Sequence, residues 1–192
     1  MENLLLVSSI LVWIVVIANL VLTLALIRRI NASPDPMAGI ETGLPVGTPA
    51  PDFSAKTLEG QTVTLADSIG HPITFVFVAT HCEPCHALLP TLKTLAPQAR
   101  AAGTTLVLVS DGSQQETEKM MQEVAGQVVI VVAPRHEHSL FNDYQINMTP
   151  SYCALDEKGV VVAAGHPDRT NQEWQKLLTS WSKQAATADT RR

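Results

Sequence analysis

The sequence predicts an α/β domain, with a mixed β-sheet flanked by helices, behind a long apolar helix. Two β-branched apolar runs, 73–78 and 105–110, are each followed by a helical pattern, which is typical of parallel strands buried on both faces. A strand hairpin at 151–164 adds antiparallel pairing near the end of the chain. Residues 4–27 carry no charge and, at about 1.5 Å per residue, can cross a hydrocarbon core of roughly 30 Å.

The apolar start predicts a transmembrane anchor at residues 4–29 rather than a cleaved signal peptide. Glu2 stands where a signal peptide would be basic, and Arg28 and Arg29 stand where a cleavage site would need small residues. The two arginines favour a cytoplasmic position for the residues that follow them. Disulfide chemistry favours the opposite side of the membrane. The residues alone leave the orientation open.

Residues 30–50 hold four prolines and three glycines without apolar periodicity, which predicts a linker. The folded domain is expected at 51–183 and a flexible tail at 184–192. Within the domain we predict a hairpin at 51–55 and 62–65 and strands at 73–78, 105–110, 128–132, 151–155 and 160–164. Helices are predicted at 82–102, 114–124 and 138–144. A final helix carries Trp174 and Trp181 on one face.

Charge and cysteine content exclude two classes of protein. Apart from residues 1–29, the chain has 17 acidic and 11 basic side chains, a balance that disfavours nucleic-acid binding. Three cysteines are too few for a disulfide-stapled scaffold. Two of them form a C-x-x-C pair, and the third, Cys153, lies on an apolar strand, where it is expected to be a small buried hydrophobe.

The C-x-x-C pair, Cys82-Glu83-Pro84-Cys85, lies where the strand at 73–78 gives way to a helix. Two thiols at this spacing can close a disulfide across one helical turn. The unpaired N–H groups at a helix start favour a thiolate on the outer sulfur. The pattern indicates dithiol–disulfide redox chemistry, with the Cys82–Cys85 disulfide as the redox group and no further cofactor.

Other chemistries fit the same residues. Cys82, Cys85 and His86 also read as a c-type haem attachment motif, which would make the protein an electron carrier. Two thiolates with His81 or His86 would suit Cu(I), as in a metallochaperone. A zinc site would need four ligands, and the sequence contains no second C-x-x-C and no H-x-x-x-H. Haem and copper remain the alternatives to thiol redox chemistry.

The order of motifs resembles the thioredoxin superfamily: a strand, C-x-x-C, a helix interrupted by Pro90, then Thr149-Pro150 before a hairpin and a last helix. The segment 44–53, with Glu59-Gly60 after it, is similar to the opening of the TlpA/redoxin branch. The anchor that ends in Arg28-Arg29, together with the segment 82–90, resembles the MauD family of methylamine-utilisation accessory proteins.

The resemblance implies roles for individual residues. Cys82 would be the exposed nucleophile and Cys85 the resolving thiol. Pro150 would be a cis-proline that faces the pair, and Thr149 would offer backbone groups to an extended substrate.

Three positions near the pair would modulate it, namely His81, Glu83 and Pro84. His81 replaces a tryptophan common in thioredoxins and, when protonated, would favour the thiolate and make the pair more oxidising. Two expected acids are missing, because Val76 and Leu88 occupy positions where relatives carry carboxylates for proton transfer to the buried thiol.

The resemblance also implies a function and a location. The protein would be an inner-membrane thiol–disulfide oxidoreductase with its catalytic domain on the periplasmic side. Its partners would be a protein thiol or disulfide substrate, such as the small subunit of methylamine dehydrogenase, and a membrane redox partner. The direction of electron flow is left open by the residues.

Overall fold

The structure is a computed structural model that describes residues 2–32 and 42–189. The chain divides into two compact units, residues 1–40 and 41–192. Among the described residues, the first unit consists of helix α1, Glu2–Ala32. Across the described residues, no helix is both long enough and apolar enough to cross a membrane. The anchor at residues 4–29 stays a prediction.

The second unit holds the other elements, in an order close to the predicted one. The strands are β1 (Ser54–Thr57), β2 (Thr62–Thr64), β3 (Ile73–Val78), β4 (Thr105–Ser110), β5 (Val129–Val132), β6 (Ser151–Leu155) and β7 (Val161–Gly165). The helices are α2 (Glu83–Ala101), α3 (Gln114–Met121), α4 (Leu140–Asp143) and α5 (Gln172–Asp189), with a 3-10 turn at Ala66–Ser68.

The seven strands form one mixed sheet in the order β2-β1-β5-β4-β3-β6-β7. Strands β3, β4 and β5 are parallel, since α2 and α3 each return the chain to the same end of the sheet. The β1–β2 and β6–β7 hairpins add antiparallel strands on either side. The predicted mixed α/β sheet is confirmed.

Strand β3 is the structural centre, because all six of its residues are buried and it pairs with both β4 and β6. Val76 and Val78 join the core on the face that also contains Leu92 and Trp181. Phe75 and Phe77 belong to the core on the other face. The continuous apolar run of β3 is therefore explained by burial on both sides.

The folded domain begins earlier than the sequence predicts. Leu44 is buried, the Gly43 N–H donates to the Gln145 carbonyl at 3.0 Å, and Pro49 forms a bridge with Val160 beside β7. Residues 42–50 therefore belong to the domain and not to the predicted linker at 30–50. These residues are attached to the rest of the domain mainly by backbone hydrogen bonds, so their side chains show no apolar periodicity. Residues 33–41 of that linker lie outside the described residues.

Two helix ends differ from the prediction by three residues or more. Helix α5 continues to Asp189, six residues into the segment predicted as a flexible tail at 184–192. Its last turns include Ala185 and Ala186, which are strong helix formers. Helix α3 ends at Met121 rather than at residue 124, and turns lead from it to Gly126, whose φ of 76° is left-handed.

Candidate active site

The predicted site residues meet at one edge of the sheet. Cys82 follows the carboxyl end of β3, and Pro150 precedes the start of β6. The two strands are antiparallel, with Phe77 opposite Ser151, so the end of one lies beside the start of the other. The sheet register therefore brings Thr149 and Pro150 to the cysteine pair across 67 residues of sequence.

Cys82 and Cys85 are joined by a disulfide at the start of α2. Cys82 is the N-cap of the helix, and the Cys85 N–H donates to its sulfur at 3.2 Å. Cys82 is half-buried, whereas Cys85 is fully buried. An incoming group can thus reach only the Cys82 sulfur, which also lies where the helix N-terminus favours negative charge.

The Thr149–Pro150 peptide bond is cis, as the resemblance implies. The Thr149 carbonyl oxygen lies 3.5 Å from Cys82 Sγ. The Pro150 carbonyl accepts a hydrogen bond from His166 Nδ1 at 2.8 Å. Both carbonyls of the Thr149–Pro150 segment are therefore in contact, one with the reactive sulfur and one with a histidine on the loop after β7.

The loop before Cys82 is held from two sides through Thr80. His86 Nε2 donates to the Thr80 carbonyl at 2.9 Å, and the Thr80 N–H donates to the Asp111 carboxylate at 3.2 Å. Asp111 also lies 3.5 Å from Arg135 Nε. Gly112 is required here, because a Cβ on it would come within 2.3 Å of the Thr80 side chain.

His81 is solvent-exposed, with 87% of its side chain accessible, and its Nε2 lies 3.6 Å from Glu116 Oε1. The hydrogen bond from Ser113 Oγ, with that from the Ser113 N–H, lowers the pKa of Glu116, and His81 adds to the effect. Glu83 and Pro84 are exposed in the first turn of α2, where proline is tolerated. Of the three predicted modulators, only His81 faces a charged partner.

The positions of the two missing acids lie close to the buried thiol. Val76 is fully buried, and half-buried Leu88 packs against the same core cluster, which also contains Cys85. Tyr152 lies directly opposite Val76 in the register of β3 and β6 and belongs to that cluster too. Tyr152 is thus the residue with a polar side-chain group that the sheet pairs with Val76.

Other candidate residues lie apart from the pair. Cys153 is buried, and burial raises its pKa to about 12, which disfavours the reactive thiolate. His136 and Glu137 pair with each other at 3.0 Å on an exposed turn. Among residues 2–32 and 42–189, no three His, Cys, Asp or Glu side chains are grouped so that they could hold a metal ion.

Sequence reasoning missed Asp111, Arg135 and His166. Asp111 follows the buried strand β4 directly, and His166 follows β7. Polar residues at strand ends are a usable signal. Their partners Thr80 and Pro150 are distant in sequence, so only the sheet order joins them.

The fold and the disulfide at a helix start define this protein as a thiol–disulfide oxidoreductase with a thioredoxin-like fold. Residues 46–164 match the AhpC/TSA family, and since this is more than half of the chain, the protein belongs to that family.

Two relatives and one solved structure are similar to this chain. The chain is 29% identical to the methylamine utilization protein MauD of Methylophilus methylotrophus over 173 residues, covering 85% of this chain and 78% of MauD. It is 28% identical to the thiol-disulfide oxidoreductase ResA of Geobacillus kaustophilus over 140 residues, covering 73% and 80%. The thioredoxin domain of a thiol-disulfide oxidoreductase from Bacteroides vulgatus superposes with a TM-score of 0.62 at 20% identity, covering 72% and 99%. At that identity the structural match establishes the fold alone.

Proposed function

We propose that this chain is a membrane-anchored thiol–disulfide oxidoreductase that exchanges disulfides with a partner protein through Cys82 and Cys85. One observation carries the proposal: a half-buried sulfur, bonded to a fully buried one, lies at a helix N-terminus and 3.5 Å from the Thr149 carbonyl. This arrangement separates an attacking thiol from a protected resolving thiol.

The exchange runs in two steps. In reduction, the Cys82 thiolate attacks a substrate disulfide, forms a mixed disulfide and releases one substrate thiolate. The Cys85 thiolate then attacks Cys82 Sγ, closes the Cys82–Cys85 disulfide and releases the second substrate thiolate. Two electrons pass from the pair to the substrate, and the released thiolates take up protons. The same steps in reverse install a disulfide in the substrate.

Thr149 and Pro150 serve as the substrate platform in this proposal. A substrate strand that approaches Cys82 meets this segment first, because its Thr149 carbonyl contacts the sulfur. Backbone groups at the start of β6 can pair with an extended peptide without selecting its side chains. The pair itself is the redox group, so no further cofactor is required.

The anchor and the location rest on the sequence and on the relatives. Residues 4–27 are uncharged, and residues 2–32 form a single helix. We place the catalytic domain on the periplasmic side of the inner membrane, against the tendency of Arg28 and Arg29. Protease added outside spheroplasts should digest the domain, and protection of the domain would contradict this placement.

Similarity to MauD suggests the substrate, namely the disulfide-rich small subunit of methylamine dehydrogenase, with a membrane protein as redox partner. A Cys85→Ser variant should accumulate a mixed disulfide between Cys82 and this substrate, since the resolving thiol is gone. Cys82→Ser should capture nothing, and Cys153→Ser should behave as the wild type because Cys153 is buried. If Cys85→Ser forms no adduct that reducing agent releases, the proposal is wrong.

A further inference from the structure

The resolving thiol, Cys85, has to lose its proton inside the protein. Cys85 is fully buried and belongs to the core cluster between the sheet and the helices α2 and α5. A thiol attacks a disulfide as the thiolate, so the Cys85 proton must leave before resolution. Because the sulfur has no access to solvent, this proton has to pass through the protein.

Two buried polar side-chain atoms are candidates to take part in this proton transfer. The Tyr152 hydroxyl and His166 Nε2 are buried and make no hydrogen bond to protein within the described residues. The Tyr152 side chain is fully buried against Trp174, with ring centroids 4.7 Å apart. Buried polar groups of native proteins are nearly always hydrogen-bonded, if not to protein then to an ordered water.

The hydrogen bond at Pro150 fixes what each atom can do. A carbonyl only accepts, so His166 Nδ1 carries the proton that it donates to the Pro150 oxygen. In the neutral ring Nε2 is then an acceptor. The Tyr152 hydroxyl is a donor and an acceptor. The two atoms therefore have complementary hydrogen-bonding roles, a donor and an acceptor, of the kind that a buried water bridges.

The sheet brings these residues together. Tyr152 pairs with Gly165 in the register of β6 and β7, and His166 is the next residue. On its other side Tyr152 pairs with Val76, which shares the core cluster of Cys85. Tyr152 on β6 thus lies between β3, whose Val76 belongs to the core cluster of Cys85, and the loop that carries the histidine.

Charged and titratable neighbours of the two atoms come from three elements. Glu173 on α5, Cys153 on β6 and Asp168 on the loop after β7 all influence Tyr152, whose pKa is raised chiefly by burial. Asp168 also interacts with His166.

We propose that Tyr152 and His166 form a buried polar site that binds one water and accepts the Cys85 proton during resolution. This inference rests on the proposed function, because it assigns a role to residues around the resolving thiol. His166 also positions the Pro150 carbonyl through Nδ1, so one side chain serves both the substrate platform and the resolving thiol.

The proton balance of the step is simple. The S–H bond of Cys85 breaks, its electron pair stays on sulfur, and the proton passes to the Tyr152 hydroxyl as that group gives its own proton, through the water, to His166 Nε2. The Cys85 thiolate then attacks Cys82 Sγ in the mixed disulfide, and the departing thiolate carries away the electron pair. The imidazolium later returns its proton to solvent.

Stopped-flow reaction of the reduced full-length chain with 5,5′-dithiobis(2-nitrobenzoic acid) tests the inference. Attack by Cys82 releases one thionitrobenzoate, and resolution by Cys85 releases the second. A His166→Asn variant keeps an amide donor in the place of Nδ1 but has no base in the place of Nε2. We expect its first release to be unchanged and its second to slow roughly 100-fold at pH 7, with recovery near pH 9, where a free thiol ionises unaided.

Tyr152→Phe should slow the same second release, and the double variant should be no slower than the slower single variant, because both groups act in one path. His71→Asn, at an exposed histidine, is the matched control and should keep both rates. If His166→Asn and Tyr152→Phe both resolve at the wild-type rate, the inference is wrong and the proposed function stands. If the wild type releases only one equivalent, Cys85 does not resolve, and both fail together.

Discussion

Cys82 Sγ lies 3.5 Å from the carbonyl oxygen of Thr149. In the closed disulfide the sulfur has no proton to donate, so this is a contact between two electron-rich atoms. After reduction, the Cys82 thiol can donate to the carbonyl. The contact places the Thr149 backbone directly beside the reactive sulfur, where a substrate strand that approaches Cys82 would meet it.

The difference in burial between the three cysteines predicts their order of modification. In the reduced chain, iodoacetamide should label Cys82 at least about 100 times faster than Cys153, because Cys153 is buried and its pKa is raised to about 12. Cys85, also fully buried, should be labelled slowly. Peptide mass spectrometry over a time course checks the order, and rapid labelling of Cys85 would contradict the assignment of nucleophile and resolving thiol.

The His81–Glu116 pair predicts a pH-dependent reduction potential. Glu116 Oε1 lies 3.6 Å from His81 Nε2, and a protonated His81 next to Cys82 would stabilise the thiolate of the reduced state. Glu116→Gln keeps a side chain that can complete the capping box with Ser113 but removes the charge. We expect the potential to become more negative by roughly 10 mV at pH 6, a small shift because the pair is exposed.

Equilibration with glutathione at several pH values measures this effect. The difference between Glu116→Gln and wild type should be larger at pH 6 than at pH 8, because an imidazole carries a charge only when it is protonated. Glu118→Gln, on the same helix but without a contact to His81, is the control. Equal shifts at pH 6 and pH 8 would show that the histidine has no part in the effect.

The sequence predicts the central strands to the residue. The bounds of β3, β4 and β6 coincide with the predicted ones, because each is a continuous apolar run buried on both faces. The sheet order was not predictable, since β1 lies antiparallel between β2 and β5 through contacts that no local pattern encodes. The segment 42–50 was missed for a related reason, as its hydrogen bonds are made by backbone.

The site residues likewise divide into those that the sequence predicts and those that it does not. Cys82, Cys85, Thr149 and Pro150 could be named from motifs, and the structure brings them together. Asp111 and His166 could not, because each acts on a backbone group of a distant loop. Local sequence therefore identifies the reacting groups, while the groups that position them depend on the sheet order.

Asp168 predicts a local contribution to stability at the start of α5. Its Oδ1 accepts hydrogen bonds from the Thr170 hydroxyl, the Thr170 N–H and the Asn171 N–H. Partial burial raises the pKa of Asp168, but these hydrogen bonds outweigh it and hold the pKa below its ordinary value of 3.8. Asp168→Ala should lower the free energy of unfolding by about 1 kcal/mol at pH 7, a value reduced for partial exposure.

The pH dependence follows from the direction of that shift. A carboxyl with a lowered folded-state pKa stabilises the fold above its unfolded pKa, and the contribution is lost as pH falls through the folded value. The unfolding free energies of wild type and Asp168→Ala should therefore begin to converge as the pH falls below about 4. Arg169→Ala, at the exposed neighbour, should stay within about 0.5 kcal/mol of wild type at every pH. A gap that widens on acidification would contradict the assignment.

Val76→Asp tests the consequence of the missing buried acid. Val76 is fully buried in an apolar cluster, so an introduced carboxylate loses its hydration without gaining a charged partner. We expect the free energy of unfolding to fall by about 3 kcal/mol or more at pH 7.5. Val76→Ala, which only removes volume, is the control and should lose roughly 2 kcal/mol at any pH.

The stabilities of the two variants should depend differently on pH. Burial would raise the pKa of the introduced carboxyl, so its penalty is small below the unfolded pKa near 4 and grows as pH rises toward the folded value. Urea unfolding should therefore show a larger loss of unfolding free energy at pH 7.5 than at pH 4.5 for Val76→Asp. For Val76→Ala the loss should be the same at both pH values. Because position 76 shares the cluster of Cys85, the new carboxylate should also restore part of the slow second release of His166→Asn. A double variant that resolves as slowly as His166→Asn would mean that a base at position 76 does not reach the buried thiol.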